Sequence, residues 1–178
     1  MVQLELKHIK GGLLEQDYSF QVADFPEVAA LARDGLASYR DPIRFHLRFQ
    51  QTGRIIEVDG AVQATIDLTC ARCLCPLVYP LDERFTLTFA PVAAESQDVE
   101  ERELEKEELG LIPYSDDRLE LLEPLQEQLL MAIPVRTLCS ASCRGLCAQC
   151  GADLNREPCA CEKVPFNNKF GDLAKLRH

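Results

Sequence analysis

The chain has 178 residues, of which 47% are hydrophobic and 27% are charged, and its formal net charge is −10 at pH 7. This composition excludes a disordered chain, and no apolar run approaches the roughly 20 residues that a membrane-spanning helix needs. The N-terminus also lacks the apolar block of about 7 to 15 residues found in a signal peptide, so we expect a cytoplasmic protein that makes no membrane contact.

The first 90 residues predict a sheet of antiparallel strands. Residues 44–49 alternate between apolar and polar side chains, which is the pattern of a strand with one buried face. The apolar set is Phe45, Leu47 and Phe49, and the polar set is Arg44, His46 and Arg48. Turn signals follow at residues 51–54 and at Asp59-Gly60, and residues 62–70 alternate again. Because strands joined by short turns pair in order, we expect an antiparallel, partly barrel-like sheet.

Three cysteines lie where the third of these strands ends, in the run Cys70-Ala-Arg-Cys73-Leu-Cys75. A Cys-x-x-Cys pair between strands can bind a metal, give two ligands to a shared site, act as a redox thiol pair, or remain as buried free thiols. Three cysteines without a neighbouring histidine are one ligand short of a tetrahedral set. Any metal held by Cys70 and Cys73 therefore needs further ligands from elsewhere in the chain.

The next segment combines an acidic stretch with one amphipathic helix. Residues 95–108 contain eight acidic and two basic residues, a composition typical of a solvated linker. Apolar residues then recur at helical spacing until Pro134 ends the pattern. They are Leu122, Leu125, Leu129 and Ile133. We expect a helix over about 117–133 that covers the sheet and completes a strand-rich domain at 1–135.

Residues 136–178 are predicted to form a second, cysteine-rich unit. Six cysteines occur in one short stretch: Cys139, Cys143, Cys147, Cys150, Cys159 and Cys161. The run Cys147-Ala-Gln-Cys150-Gly151 is typical of a zinc knuckle, where two thiolates a turn apart bind one metal and glycine allows the backbone to reverse. We expect four of the six cysteines to bind a structural zinc ion, with an iron–sulfur cluster as the alternative.

A short apolar stripe at residues 166–176 completes the predicted architecture with a terminal helix. Together these elements predict an α+β fold. It consists of an antiparallel, partly barrel-like sheet covered by one main helix, with a small C-terminal zinc-knuckle module.

No recognisable catalytic motif occurs in the sequence. The histidines are remote from the cysteines along the chain, and a His-Glu-x-x-His run, a GxxxxGK[ST] phosphate loop and a GxGxxG run are all missing. A zinc ion held by four thiolates has no open position for a substrate. We therefore expect a non-enzymatic protein without a small-molecule substrate. The alternative is a thiol redox protein that uses Cys70 and Cys73, with Arg72 lowering a thiol pKa.

The order of these motifs resembles the YceD family, whose members are called large ribosomal RNA subunit accumulation proteins. The resemblance runs from about Thr69 to Leu176 and includes CxRCL after a strand, a helix ending in Ile133-Pro134-Val135, the run CRGLCAQCGADLN, the CxC pair and the FGDLAKL tail. It implies a role in 23S ribosomal RNA accumulation and large-subunit assembly, with no catalytic residue to transfer. It also implies that both cysteine groups belong to the family pattern, that only some members have the second group, and that Cys75 is outside it.

The charge distribution constrains how such a role is carried out. A net charge of −10 is unfavourable for a general RNA binder. Arg44, His46 and Arg48 nevertheless share one strand face, and they are our candidates for RNA or partner contacts. The acidic stretch at 95–108 can attract the basic proteins of the ribosome. We expect the partner to be a large-subunit ribosomal protein, pre-ribosomal RNA, or both, and we expect no DNA partner.

Overall fold

The computed structural model describes residues 2–92 and 110–161. Within these ranges the chain forms seven strands and two α-helices. The strands are β1 (Gln3–Glu5), β2 (Leu13–Phe20), β3 (Ser38–Thr52), β4 (Ile55–Thr69), β5 (Pro76–Pro91), β6 (Leu111–Tyr114) and β7 (Arg118–Glu120). The helices are α1 (Pro26–Arg33) and α2 (Leu122–Met131).

Five strands form one sheet in the order β2-β3-β4-β5-β6. The first four are antiparallel neighbours in chain order, whereas β6 pairs with β5 in parallel. Strands β1 and β7 form a separate antiparallel ladder. In the described ranges, β2 and β6 do not pair with each other, so this sheet is open rather than a closed barrel. The α+β prediction is confirmed, and the sheet is mixed because of β6.

The alternation in β3 places its apolar side chains in the core. Phe45, Leu47 and Phe49 are buried, while the intervening polar residues are exposed. The hairpin from β3 to β4 turns at Gly53, whose φ of +63° lies in the left-handed region that glycine adopts without strain. Strand β4 supplies the facing apolar residues, so one face of the sheet is a continuous core surface.

The predicted turn at Asp59-Gly60 is wrong, because β4 continues from Ile55 to Thr69 without a break. Gly60 lies opposite Phe85 of β5. A Cβ atom at residue 60 would lie 2.2 Å from the Phe85 Cζ atom. The glycine therefore allows an aromatic ring to pack directly on the strand, and it does not reverse the chain.

Both helices lie against the core face of the sheet. Helix α1 begins with a proline in its first turn, where the missing N–H is not needed. Helix α2 begins at Leu122, later than the predicted start near 117, because residues 118–120 extend the β1 ladder as β7. Leu125 and Leu129 are fully buried, as their spacing indicates. The Tyr39 hydroxyl donates a 2.5 Å hydrogen bond to the Leu129 carbonyl, which ties β3 to α2, and burial raises the pKa of Tyr39.

Neither helix in the described ranges is long and apolar enough to cross a membrane. Two predicted features lie outside the described residues, namely the acidic linker at 95–108 and the terminal helix at 166–176. The division of the chain into units at 1–135 and 136–178 stays a prediction.

Candidate metal centres

The turn between β4 and β5 is a thiol-bearing knuckle. The Leu74 N–H donates to the Cys70 carbonyl over 2.9 Å, and the Cys70 N–H donates to the Cys75 carbonyl over 2.9 Å. These two bonds reverse the chain and bring Cys70 and Cys73 together. The Arg72 N–H points at the Cys70 Sγ atom, 3.5 Å away. The sequence pair Cys70-x-x-Cys73 is therefore arranged as half of a metal site.

Cys139 and Cys143 complete this arrangement from the far end of the chain. The Sγ atoms of Cys70 and Cys143 are 3.8 Å apart, and those of Cys73 and Cys139 are 3.6 Å apart. All four Sγ atoms lie within 4.8 Å of one another. We refer to Cys70, Cys73, Cys139 and Cys143 as the first quartet. Three of its members are buried, while Cys139 is exposed.

Backbone hydrogen bonds hold the C-terminal segment against the β4–β5 turn. The Ala71 N–H donates to the Thr137 carbonyl over 2.8 Å, and the Leu146 N–H donates to the Arg72 carbonyl over 3.2 Å. The Arg72 guanidinium also donates to the Cys143 carbonyl over 2.6 Å. The first quartet is therefore shared between the sheet and a segment that begins more than 60 residues later.

A second knuckle repeats the geometry of the first one within the C-terminal segment. The Gly151 N–H donates to the Cys147 carbonyl over 2.9 Å, and the Cys147 N–H donates to the Ala152 carbonyl over 2.8 Å. Gly151 has a φ of +72°, and Leu74 occupies the matching position in the first knuckle with a φ of +58°. The two Cys-x-x-Cys runs therefore have the same backbone reversal.

The second knuckle belongs to its own set of four thiols. Cys147, Cys150, Cys159 and Cys161 have Sγ atoms that all lie within 4.8 Å of one another, and we refer to them as the second quartet. Cys150 is exposed and the other three are partly buried. The six cysteines of the predicted zinc unit thus divide between two groups of four, with Cys70 and Cys73 completing one of them.

Hydrogen bonds set which thiols of the two quartets ionise most easily. The pKa of Cys70 is lowered to about 6, chiefly because the backbone N–H groups of Cys73 and Cys139 stabilise its thiolate. Backbone N–H groups of Cys150 and Gln149 lower the pKa of Cys147 to about 6. Neighbouring thiols have the opposite effect elsewhere. The pKa of Cys139 is raised next to Cys143, and that of Cys161 is raised to about 12 next to Cys150.

Asn155 lies between Cys150 and Cys159 in the sequence and contacts the first quartet, and the sequence patterns did not identify it. Its side-chain amide donates to the Cys143 Sγ atom over 3.4 Å, and its amide oxygen accepts from the Arg144 N–H over 2.7 Å. The same amide donates to the Asp153 carboxylate over 2.7 Å. The backbone N–H of Asn155 lowers the pKa of Asp153. An asparagine four residues after a Cys-x-x-Cys-Gly run was the only available signal.

The thiol donor sets fit a thiophilic divalent metal. A tetrahedral zinc site with bonds of about 2.3 Å has sulfur–sulfur separations of about 3.8 Å, which is close to the 3.6 and 3.8 Å separations in the first quartet. Each quartet supplies four donors, so a bound ion would have no free position. Both cysteine clusters can therefore hold a metal ion in a closed site with four sulfur ligands.

Cys75 is the ninth thiol and belongs to neither quartet. The Cys73 Sγ atom lies 3.3 Å from the Cys75 Sγ atom. The Cys73 thiol raises the pKa of Cys75, so Cys75 stays protonated more readily than an isolated cysteine. This residue lies directly beside the first quartet, although it is not one of its four members.

The candidate contact residues Arg44, His46 and Arg48 lie on the solvent face of β3. The His46 Nδ1 atom is 2.8 Å from an Asp17 carboxylate oxygen, and the Arg48 Nε atom is 3.7 Å from a Glu15 carboxylate oxygen. Arg44 forms no ion pair within the described ranges. Two of the three basic side chains therefore have acidic partners on β2, which reduces the attraction of this face for phosphate.

The open sheet and its two four-thiol groups define an α+β protein with a cysteine-anchored C-terminal segment. A family model described as "Large ribosomal RNA subunit accumulation protein YceD" matches residues 58–177, which include every member of both quartets. The chain therefore belongs to the YceD family.

Two plant relatives carry the same family name, and a mycobacterial relative is uncharacterized. The chain is 22% identical over 156 residues to "Large ribosomal RNA subunit accumulation protein YCED homolog 1, chloroplastic" of Arabidopsis thaliana, covering 76% of this chain and 49% of the relative. It is 32% identical over 113 residues to an uncharacterized protein of Mycobacterium tuberculosis, and this match covers 63% of this chain and 51% of the relative. The chain is 22% identical over 174 residues to the chloroplastic homologue of Zea mays, and this match covers 85% of this chain and 59% of the relative. The chain thus spans about half the length of these relatives, and no solved structure matches it significantly.

Proposed function

We propose that this chain is a cytoplasmic, non-enzymatic factor that supports 23S ribosomal RNA accumulation and large-subunit assembly. In this proposal it acts by binding a ribosomal protein, pre-ribosomal RNA, or both. The observation that carries the proposal is the family match over residues 58–177. The printed names of the plant relatives, which refer to large ribosomal RNA subunit accumulation, support the same role.

Zinc is the proposed metal in both quartets, and its role is structural. Four thiolates match the ligand preference of zinc and leave a closed site with a net charge of −2. The Arg72 guanidinium contacts the Cys143 backbone beside the first quartet, where it can offset part of that charge. Bound zinc would supply fixed bonds and no vacant coordination position, so recognition falls to the surrounding surfaces.

The surroundings of the thiols favour this structural role over redox catalysis. A redox pair must be reached by the disulfide of its substrate, and thiol reactivity depends on that access. Cys70 is fully buried and Cys73 is 7% exposed. The pair also lies in a turn between strands, where no helix N-terminus stabilises the thiolate. The lowered pKa of Cys70 suits a metal ligand equally well.

Partner contacts are proposed on the solvent face of β3 at Arg44, His46 and Arg48. Arg44 is the strongest of the three candidates, because carboxylates already occupy the other two side chains. The net charge of −10 favours a basic protein as the main partner over a polyanion. RNA contact, if made by Arg44, is then a secondary part of the interaction.

The function is tested by removing the protein from its host and measuring the ratio of 23S to 16S ribosomal RNA. We expect the ratio to fall and to recover when the wild-type gene is returned. An unchanged ratio would rule out the proposed role.

The metal is tested separately on the purified full chain. Elemental analysis and native mass spectrometry should find two zinc ions per molecule. Paired oxidation of the thiols, or an iron–sulfur absorption spectrum, would contradict the zinc assignment.

A further inference from the structure

The apolar start of β5 is an unusual surface, because it faces solvent. Residues at every second position from the first knuckle into β5 are exposed and apolar. They are Leu74, Pro76, Val78 and Pro80. Leu74 is 64% exposed and Val78 is 55% exposed. We call these four residues the β5 stripe.

No part of the described chain covers the β5 stripe. Leu74 and Val78 belong to neither of the two clusters of packed apolar side chains found in the described ranges. The residues that alternate with the stripe, such as Leu77, pack against those clusters. The inward side chains of this strand thus have a structural role, and the outward ones have none among residues 2–92 and 110–161.

Leu74 provides a second, independent observation. It occupies the left-handed region with a φ of +58°, where leucine is unfavourable and glycine is not. The second knuckle has Gly151 at the matching position, with the same pair of backbone hydrogen bonds. A glycine at residue 74 would therefore satisfy the turn better. The large apolar side chain at this strained and exposed position makes sense as a contact with another molecule.

The edge of the sheet beside the β5 stripe excludes one mode of binding. Strand β5 pairs with β6 only through residues 88–91, so its edge is open from 76 to 87 within the described part of the chain. Pro76 and Pro80 have no N–H to donate, and within a ladder proline occupies positions that point away from the paired strand. Two donors are therefore missing from the open edge. Addition of a strand from a partner or a second copy is disfavoured, and binding must use the outward side chains.

The charges around the β5 stripe favour a protein over RNA. Arg40 and Asp67 lie on this face beside Val78 and are joined by hydrogen bonds of 2.8 and 2.5 Å, so this pair leaves no free cation next to Val78 for a phosphate. The next two outward positions of β5 carry opposite charges, Asp82 and Arg84, so the face beyond the stripe is not a basic patch that would attract RNA. The whole chain carries a charge of −10, which attracts basic proteins.

We propose that the β5 stripe, anchored by Leu74, binds a basic protein segment that presents an apolar surface. This inference deepens the proposed function and rests on it for the nature of the partner. Leu74 acts as an apolar anchor at the knuckle end of the stripe, and Val78 extends the contact along the strand. Because a few contacts carry most of the binding free energy of an interface, loss of the exposed Leu74 side chain should weaken binding.

A photo-crosslinking amino acid placed at residue 78 of the full chain tests this surface in host cells. We expect adducts with a basic protein, identified by mass spectrometry of the crosslinked peptide. Leu74→Asn should reduce these adducts at least about tenfold, because asparagine tolerates the left-handed region but removes the apolar anchor. The matched control is Leu13→Asn, since Leu13 is 45% exposed and pairs with Gln50 at the opposite end of β3 from the β5 stripe, and it should leave the adducts unchanged.

Stability measurements on the same variants separate recognition from folding. Leu74→Asn and Leu74→Gly should melt no lower than the wild-type protein, because both relieve an unfavourable backbone conformation. A clear fall in melting temperature would assign Leu74 a structural role and overturn the inference. RNA adducts, adducts with a second copy, or adducts that persist in Leu74→Asn would also overturn it.

The two proposals fail in different ways. A basic protein that crosslinks at residue 78 but does not belong to the large subunit would uphold the β5 stripe and contradict the proposed function. A fall in the 23S to 16S ratio on removal of the protein, with no protein adduct at residue 78, would uphold the function and reject the surface.

Discussion

The two quartets have the same thiol chemistry but occupy different positions in the fold. The first quartet joins a turn of the sheet to the C-terminal segment, and three of its four cysteines are buried. The second quartet draws all its members from residues 147–161, and its cysteines are partly buried or exposed. Four cysteines can therefore either connect two distant parts of a chain or shape one short segment. The separation of the four cysteines along the chain decides which.

The largest expected effect comes from Cys143→Ser, which removes one ligand from the first quartet. The bound metal should fall from two ions to one, and the melting temperature of the sheet should fall by about 5 °C or more, because the link between its β4–β5 turn and the C-terminal segment is lost. Hydrogen exchange at the Ala71 and Leu146 amides should accelerate, since these amides bridge the two parts.

The control for this variant is Cys75→Ser, which removes a thiol outside both quartets. It should keep two metal ions. If Cys75→Ser lost an ion and Cys143→Ser kept both, the membership of the first quartet would be wrong.

Cys159→Ser should lower the metal content by the same one ion with a much smaller effect on the fold. Its quartet lies within one segment, so only residues 147–161 should lose protection from hydrogen exchange. The melting temperature of the sheet should change by less than about 2 °C. A loss of sheet stability equal to that of Cys143→Ser would show that the two centres are one cooperative unit.

Asn155→Ala tests the contact that the loop between Cys150 and Cys159 makes with the first quartet. This variant removes the N–H···S bond to Cys143 and the acceptor of the Arg144 N–H. Both metal ions should remain, with a loss of about 1 to 2 kcal/mol in the stability of the docked segment. Metal exchange at the first quartet should become faster, as measured with a chromogenic chelator. Asn155→Asp keeps the acceptor but lacks the N–H donor, so it should restore only the contact to Arg144.

The smallest expected effect is a pH-dependent difference in how fast individual thiols of the metal-free protein are alkylated. Cys147 has a pKa lowered to about 6, so its thiolate predominates above that pH and is lost as the pH falls through it. Its alkylation by iodoacetamide should rise with a midpoint near pH 6. Cys161, with a pKa raised to about 12, should react slowly over the same range. Equal rates at pH 7, measured by peptide mass spectrometry, would contradict this difference.

The sequence predicted local structure well because local structure depends on neighbouring residues. The alternation at 44–49 placed the buried face of β3 correctly, and the spacing of Leu125 and Leu129 identified the core side of α2. The prediction failed at Asp59-Gly60, which has the composition of a turn but lies within a strand. The reason is the ring of Phe85, a neighbour 25 residues away in sequence, which no local pattern reveals.

The same limit applied to the candidate site. Spacing located both Cys-x-x-Cys pairs and the reversal at each of them. It did not show that Cys139 and Cys143 lie with Cys70 and Cys73, because that grouping depends on how the C-terminal segment docks on the sheet. The role of Asn155 was hidden for the same reason, since its contact with Cys143 exists only after docking.

The long interval within the first quartet bears on how the protein matures during synthesis. Cys70 and Cys143 are separated by 73 positions, so translation must pass residue 143 before this quartet has all its members. The nascent hairpin therefore carries two unsatisfied sulfur ligands while the middle of the chain is being made. Two thiolates supply only half of a tetrahedral zinc set, so in the proposed zinc-bound protein firm retention of an ion must follow translation of the distant cysteines.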